Sequence, residues 1–275
     1  MSSSDSISPT AHYTGYVWAR HGLSHPRLVT SEGRLLFASL HPIMRLSSGL
    51  GGPSLESYLL ARHQAIDSLL EQAIDRDGVS QVIEVAAGLS PRGWRFARRY
   101  GERITYIEAD LPAMAARKRR ALEAIGTLGE HHRVQDLDAL RAQGSGSLAE
   151  LADQLDRGRG LAIVTEGLLG YLAPDDVDSL WRRFASTLAA FPVGRYVSDL
   201  HLGNVQTPEV RAFRLVLSAF VRGRVYLHFS DADQAVAKLR AVGFHTASVR
   251  PATEVTGDRA SGRARLAHIL EASTE

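Results

Sequence analysis

From about residue 58 onward, short apolar runs alternate with longer amphipathic ones. The apolar runs have strand length, and the amphipathic ones repeat their hydrophobic positions at helical spacing, a pattern that predicts a mostly parallel sheet covered by helices. "SLESYLLARHQAIDSLLEQAIDR" opens this region as a helix with Leu59, Ile66, Leu69, Leu70 and Ala73 on its apolar stripe. "QVIEVAA" is the first strand. "RITYIEAD", "HHRVQDL", "GLAIVTEG" and "GRYVSDL" follow, and each places an acid at or near its C-terminal end. Open α/β sheets bind ligands outside those ends, where the strand order reverses, so this row of acids marks a candidate site. Between the strands, "LPAMAARKRRALEAIG", "SLAELADQLDRG", "APDDVDSLWRRFASTLAAF" and "DADQAVAKLRAVG" each carry a helical stripe, several with a Pro or Asp start and a Gly stop. "FHTASVR" and "RARLAHILEA" complete the strands, and "AQGSGS" reads as a surface connection.

Two segments depart from the alternation. The first 57 residues are expected to form an N-terminal cap or lid, with "AHYTGYVWARHGLSHPRL" aromatic and His-rich and "HPIMRLSSGLGGPSLES" loop-like. Residues 58–275 are expected to form one ligand-binding domain, with the apolar helical run inside 204–230 inserted as a further cap over the site.

Composition narrows the partners. With 44% hydrophobic and 23% charged residues the chain of 275 residues has the make-up of an ordinary globule. Its 32 basic residues against 30 acidic ones leave a formal charge of only +2, so no nucleic-acid partner is expected. The absence of cysteine excludes disulfides, Cys-ligated zinc and a thiol nucleophile. No basic-then-apolar leader and no membrane-length apolar run is seen, which makes the cytoplasm the expected compartment with no membrane partner. A homodimer is the oligomer left open.

The turn after the first strand, "VAAGLSPRG", can be tested against known ligand loops. A dinucleotide loop needs G-x-G-x-x-G, whereas Ala86 and Leu89 stand where glycines would be. A hydrolase elbow needs G-x-S-x-G, and here the second glycine comes one residue late behind Pro91. A Walker loop lacks its Lys-Ser/Thr ending. A nucleoside joined through sulfur to an amino acid carries no phosphate and asks for less glycine. It needs close backbone approach, an acid for the ribose hydroxyls and charges for an ammonium and a carboxylate. Gly88, Asp110 and Glu166 fit that list.

"VIEVAAGLSPRGWRF", "YIEADLP", "VQDL" and "VTEGLLGYL", in this order and spacing, resemble the leucine carboxyl methyltransferase superfamily, and most of all its bacterial polyketide O-methyltransferase branch of the tetracenomycin type. The recognisable motifs run from about Arg62 to Tyr171, and "AHYTGYVWARHGL" is also similar to the polyketide branch. The resemblance implies a Rossmann-like class I methyltransferase fold, with a mostly parallel seven-stranded sheet, helices on both faces and a helical cap. It implies S-adenosyl-L-methionine as the cofactor and a small-molecule acceptor. Arg62 is then the residue that holds the donor's carboxylate, Gly88 the loop glycine under its methionine portion and Asp110 the ribose acid. Asp136 and Leu137 match the pair beside the adenine, and Glu166 the acid near the ammonium group. Glu84 and Leu111 complete the positions assigned to the donor. Tyr171 is assigned to the acceptor with Tyr13 and Trp18, whose rings suit a flat polycyclic compound.

His201, just past the fifth strand, is the candidate base if the acceptor is a phenol; a carboxylate would need none. Asp110 also fits a helix cap before Pro112, and Arg92 and Arg95 are expected to pair with nearby acids. His21 and His25 are four apart, but Gly22 and Pro26 break any regular helix there, so a surface or lid role is expected and no metal. Two departures from the family's G-A-G-x-D-T-R loop stand out: Ala86 replaces its first glycine, which suits a backbone with negative φ, and Ser90-Pro91 replace Asp-Thr. The function expected is O-methylation of a polyketide-like or aromatic carboxylate or phenol. Carboxyl methylation of a protein C-terminus and donor binding without turnover are the alternatives.

Overall fold

A computed structural model describes residues 9–48, 55–203, 226–257 and 267–275 of the chain. Two helices, α1 (Pro9–Arg20) and α2 (Ser31–Ser48), precede the long helix α3 (Leu55–Asp75). Strands and helices then alternate: β1 (Val79–Val85), α4 (Arg92–Tyr100), β2 (Thr105–Asp110), α5 (Pro112–Ile125), β3 (His132–Asp136), α6 (Leu148–Ala152), β4 (Gly160–Thr165), α7 (Pro174–Leu188) and β5 (Gly194–Leu200). The described residues end with α8 (Ala232–Ala241), β6 (Thr246–Pro251), α9 (Ala252–Thr256) and β7 (His268–Ser273).

The strands form one sheet in the order β3-β2-β1-β4-β5-β7-β6. The first five are parallel, while β7 runs antiparallel between β5 and β6. Parallel strands buried on both faces need apolar residues at nearly every position, and β4 is buried throughout. Its alternate residues feed two cores. Ala162 and Val164 meet α3 and α4 on one face, together with Val82 and Tyr106; Leu161 and Ile163 meet Trp181, Phe184 and Leu188 of α7 on the other, together with Leu239 of α8. The seven-stranded, mostly parallel sheet with helices on both faces is therefore as the sequence predicts.

Strand order reverses between β1 and β4, so the C-terminal ends of β1, β2, β4 and β5 converge on one hollow. α1 and α3 lie over it.

Two local readings change. The stretch from His41 to Ser48, expected to be a loop, belongs to α2, which runs on past Pro42. An interior proline costs a helix one hydrogen bond and a clash with the preceding turn, and here the helix carries that cost instead of ending. The run "SLAELADQLDRG" yields only the five-residue α6, capped by the Ser147 hydroxyl, which accepts from the Glu150 N–H. Most of the segment expected to be an inserted cap, residues 204–225, lies outside the described residues. Residues 226–230 pass beside the 3-10 turn Leu169–Tyr171: the Tyr226 N–H donates to the Gly170 carbonyl (2.9 Å), and His228 Nε2 donates to the Leu169 carbonyl (2.8 Å).

Candidate functional site

The hollow at the switch point is a cavity of about 350 Å3. That lies at the small end of the range for ligand sites, roughly 300–1,000 Å3. Its floor is the turn after β1, Ala86 to Ser90. Its walls come from Asp110 to Met114 after β2, Glu166 to Tyr171 after β4, and Asp199 and His201 after β5. α1 closes it with Thr10, Ala11, Thr14 and Trp18, and α3 contributes Leu59 and Arg62. A second, more open hollow of about 710 Å3 adjoins it, lined by Asp136, Leu137, Arg119, Arg141 and Gln154 and sharing Leu111 and Ala113 with the first.

The turn is tied down at several points. Asp110 accepts from the Gly88 N–H (2.6 Å) with one carboxylate oxygen and from the Leu111 N–H (2.7 Å) with the other. The Ala87 N–H donates to the Ala109 carbonyl (3.1 Å), and buried Lys118 donates to the Ala87 carbonyl (3.3 Å). Burial raises the Asp110 carboxyl above its ordinary pKa, against the pull of the two backbone N–H groups. Each carboxylate oxygen still has a lone pair to spare, so Asp110 can accept from hydroxyls as well. It is not the cap of α5, since Leu111 occupies that position.

One correction arises at this turn. Ala86 has φ +55°, not the negative value that would suit an alanine; it occupies the left-handed region that costs an L-residue about 1–2 kcal/mol. Ser90, in place of the family's acid, is buried, and its hydroxyl accepts from the Arg92 N–H at the start of α4 (3.2 Å).

Behind the cavity lies a charge network that no short motif announced. The Arg92 guanidinium is fully buried and donates to Asp67, Glu84 and Glu166, each at 2.6 Å. Arg62 donates to Glu166 from Nε (3.0 Å) and to Asp199 from Nη1 (3.2 Å). His63, beside Arg62 on α3, contacts Glu166 through Nδ1 at 2.8 Å. Burial pushes the Glu166 carboxyl up, but His63, Arg62 and Arg92 outweigh it and hold the group well below the usual carboxylate range. Glu84, assigned to the donor, reaches the cavity wall but has its oxygens engaged by Arg92 and by the Tyr106 hydroxyl (2.9 Å). Asp199, the strand-end acid of "GRYVSDL" to which the sequence assigns no separate role, also accepts from the Gly167 N–H (2.7 Å).

Arg62, Glu84, Gly88, Asp110, Leu111, Glu166, Trp18, Tyr171 and His201 thus share the first cavity, and Asp136 and Leu137 line the second. Asp136 is paired with Arg119 at 3.1 Å. His201 Nε2 lies 2.8 Å from the Tyr58 hydroxyl, which burial keeps protonated by raising its pKa. Tyr13 is the exception. It does not line the cavity but is buried against Phe37 of α2, ring centroids 5.7 Å apart, so its aromatic surface packs the two N-terminal helices together. Trp18, one turn further on α1, keeps its place on the cavity and packs on His63 at 4.9 Å. His21 and His25 lie beyond α1: His21 contacts Glu56 at 3.1 Å, and His25 Nδ1 accepts from the Arg27 N–H. No helix among the described residues is long and apolar enough to cross a membrane.

Comparison with known proteins adds the following. The family model described as leucine carboxyl methyltransferase matches residues 32–185. A Mycobacteroides abscessus protein, named for S-adenosyl-L-methionine-dependent methyltransferase activity, is 31% identical over 137 residues, which is 50% of this chain and 42% of that one. A Mycolicibacterium gilvum protein of the same name is 34% identical over 103 residues, or 38% of this chain and 32% of that one. The matched region thus spans less than half the length of these curated relatives. A crystal structure described as that of a methyltransferase from Thermobifida fusca superposes with a TM-score of 0.67 at 14% identity, covering 98% of this chain and 96% of the other. The arrangement of sheet and helices is accordingly the Rossmann-like methyltransferase fold.

Proposed function

The chain belongs to the leucine carboxyl methyltransferase family, and from that premise we propose that it is an S-adenosyl-L-methionine-dependent O-methyltransferase whose acceptor is an uncharged hydroxyl on a flat, largely apolar small molecule of polyketide or aromatic type. The observation that carries the reading is the convergence on one hollow of Gly88, Asp110, Arg62 and Glu166, with the Asp136–Leu137 hollow adjoining it. A nucleoside linked to an amino acid has this division. Asp110 would hold the ribose hydroxyls, Arg62 and Glu166 the amino-acid charges, and the second hollow the base. Bound there, S-adenosyl-L-methionine would supply an activated methyl group.

The chain's own residues then have to orient the acceptor, exclude water and take up a proton. Trp18 and Tyr171 flank the cavity and offer aromatic surface. His201, held by Tyr58, is the group that would accept the hydroxyl proton. Charge favours a hydroxyl over a carboxylate. Among the described lining residues the acids Glu84, Asp110, Glu166 and Asp199 outnumber the one lining arginine, Arg62, and although Arg92 behind the wall pairs with Glu84 and Glu166, no second lining arginine or lysine is placed to meet an anionic acceptor.

Calorimetric titration with S-adenosylhomocysteine, run beside NAD, tests the donor site. Micromolar binding is expected, weakened about tenfold or more in Asp110→Asn, the worth of a hydrogen bond to a charged acceptor. Binding of NAD instead, or equal affinity in the variant, would refute the assignment. Matched phenol and carboxylate acceptors then test the hydroxyl preference, which fails if the carboxylate is the better substrate.

A further inference from the structure

The turn beneath the cavity carries a residue that its geometry does not favour. Ala86 has φ +55°, two residues before Gly88 at φ +50°. A glycine would meet both demands of such a place, the left-handed backbone and close approach of that backbone to a ligand. An alanine meets neither. It cannot escape by rotating, because the turn is held on every side. The Ala87 N–H is bound to Ala109, the Ala87 carbonyl to Lys118, the Gly88 N–H to Asp110, and the Ser90 N–H returns to the Ala87 carbonyl at 2.9 Å. Strain at such a point persists only where its surroundings fix it. Ala86 also lines the cavity, together with Glu84, Arg62 and Glu166.

We propose that Ala86 is an affinity-setting residue of the donor site: its methyl group stands against the amino-acid end of the bound donor and keeps both donor and demethylated product more weakly held than a glycine would. The inference rests on the methyl-donor reading above. Its consequence is readier release of the product, with no polar contact altered.

Ala86→Gly tests it. The ligand-free variant should melt higher by about 2 °C, because relief of a left-handed alanine outweighs the added freedom of glycine in the unfolded chain. S-adenosylhomocysteine should bind about fivefold or more tightly. 5′-Methylthioadenosine, which has the same nucleoside and sulfur but no amino-acid portion, should bind both proteins equally. Unchanged affinity for S-adenosylhomocysteine overturns the proposal, and so does equal tightening of both compounds, since the effect would then not be at the amino-acid end. Failure of the unaltered protein to bind either compound is a different result: it removes the donor site itself. A variant that binds as proposed but melts lower would locate the gain in fit alone and overturn the strain component.

Discussion

Replacing Arg92 with Met should cost the fold about 3–5 kcal/mol, the range for breaking a buried ion pair from one side. The guanidinium is fully buried and donates to three carboxylates at 2.6 Å, from Asp67 on α3, Glu84 on β1 and Glu166 after β4. Methionine fills much of the volume but leaves all three acids facing it. The losses should not sum threefold, because each acid keeps another partner: Arg95 for Asp67, Tyr106 for Glu84, and Arg62 with His63 for Glu166. Lysine keeps the charge but not the fork that reaches three elements at once, so Arg92→Lys should still cost about 2 kcal/mol or more. Urea unfolding of the ligand-free proteins at pH 7, followed by circular dichroism and tryptophan fluorescence, gives the difference. Repeating it at high salt should change it little, because a buried pair is poorly screened. A loss below about 1 kcal/mol for Arg92→Met would mean that removing the desolvated cation compensates for the exposed acids, and the reasoning would be wrong.

Gly93→Ala should destabilise by about 1–3 kcal/mol, because a methyl group at 93 would run into the Glu108 carboxylate, which is locked by Lys118 and His132 and cannot give way; an unchanged urea midpoint would refute this. Lowering the pH should unfold the protein through a short list of acids. Burial raises the Asp67, Glu108 and Glu166 carboxyls, but the neighbouring positive groups outweigh it and hold all three below their ordinary values. Their contribution is therefore fully present above the ordinary carboxylate range, near pH 4, and is lost as pH falls through the depressed folded values. Urea midpoints should hold level from pH 7 to about 5 and fall steeply below about 4, and a flat profile to pH 3 would count against the network.

Much of the sheet could be read from the chain because burial on both faces leaves continuous apolar runs such as "LAIVT" in β4, and because acids at strand ends have few places to go. Tyr13 and Trp18 show the limit. Both are aromatic residues on α1, and composition alone made both suitable for an acceptor, yet one turns toward α2 and the other to the cavity. Which face of a short helix meets a ligand depends on how the next helix packs. Ala86 shows a second limit: a missing glycine suggests that the conformation has changed, whereas the surrounding tethers keep the left-handed turn and leave the alanine to bear it. The charge network was the least visible part. Arg92 joins residues 25 and 8 positions before it and 74 after it, and periodicity records that a position is buried without recording its partner.

That network bears on ligand binding as well as on stability. Arg62 uses its Nε–H on Glu166 and one Nη1–H on Asp199 and also hydrogen-bonds Tyr58, and the rest of its five-donor fork is available to a ligand carboxylate. The same two acids fix the plane of the guanidinium, and Arg92 with His63 fixes Glu166 in turn. A ligand reaching Arg62 would therefore meet a fork whose orientation is already set, and the entropy of ordering that side chain is lost when the protein folds rather than when the ligand binds. Four acids packed around arginines would be costly as a device for stability alone. Two of them, Glu166 and Asp199 at the C-terminal ends of β4 and β5, hold Arg62 rigid where the cavity opens.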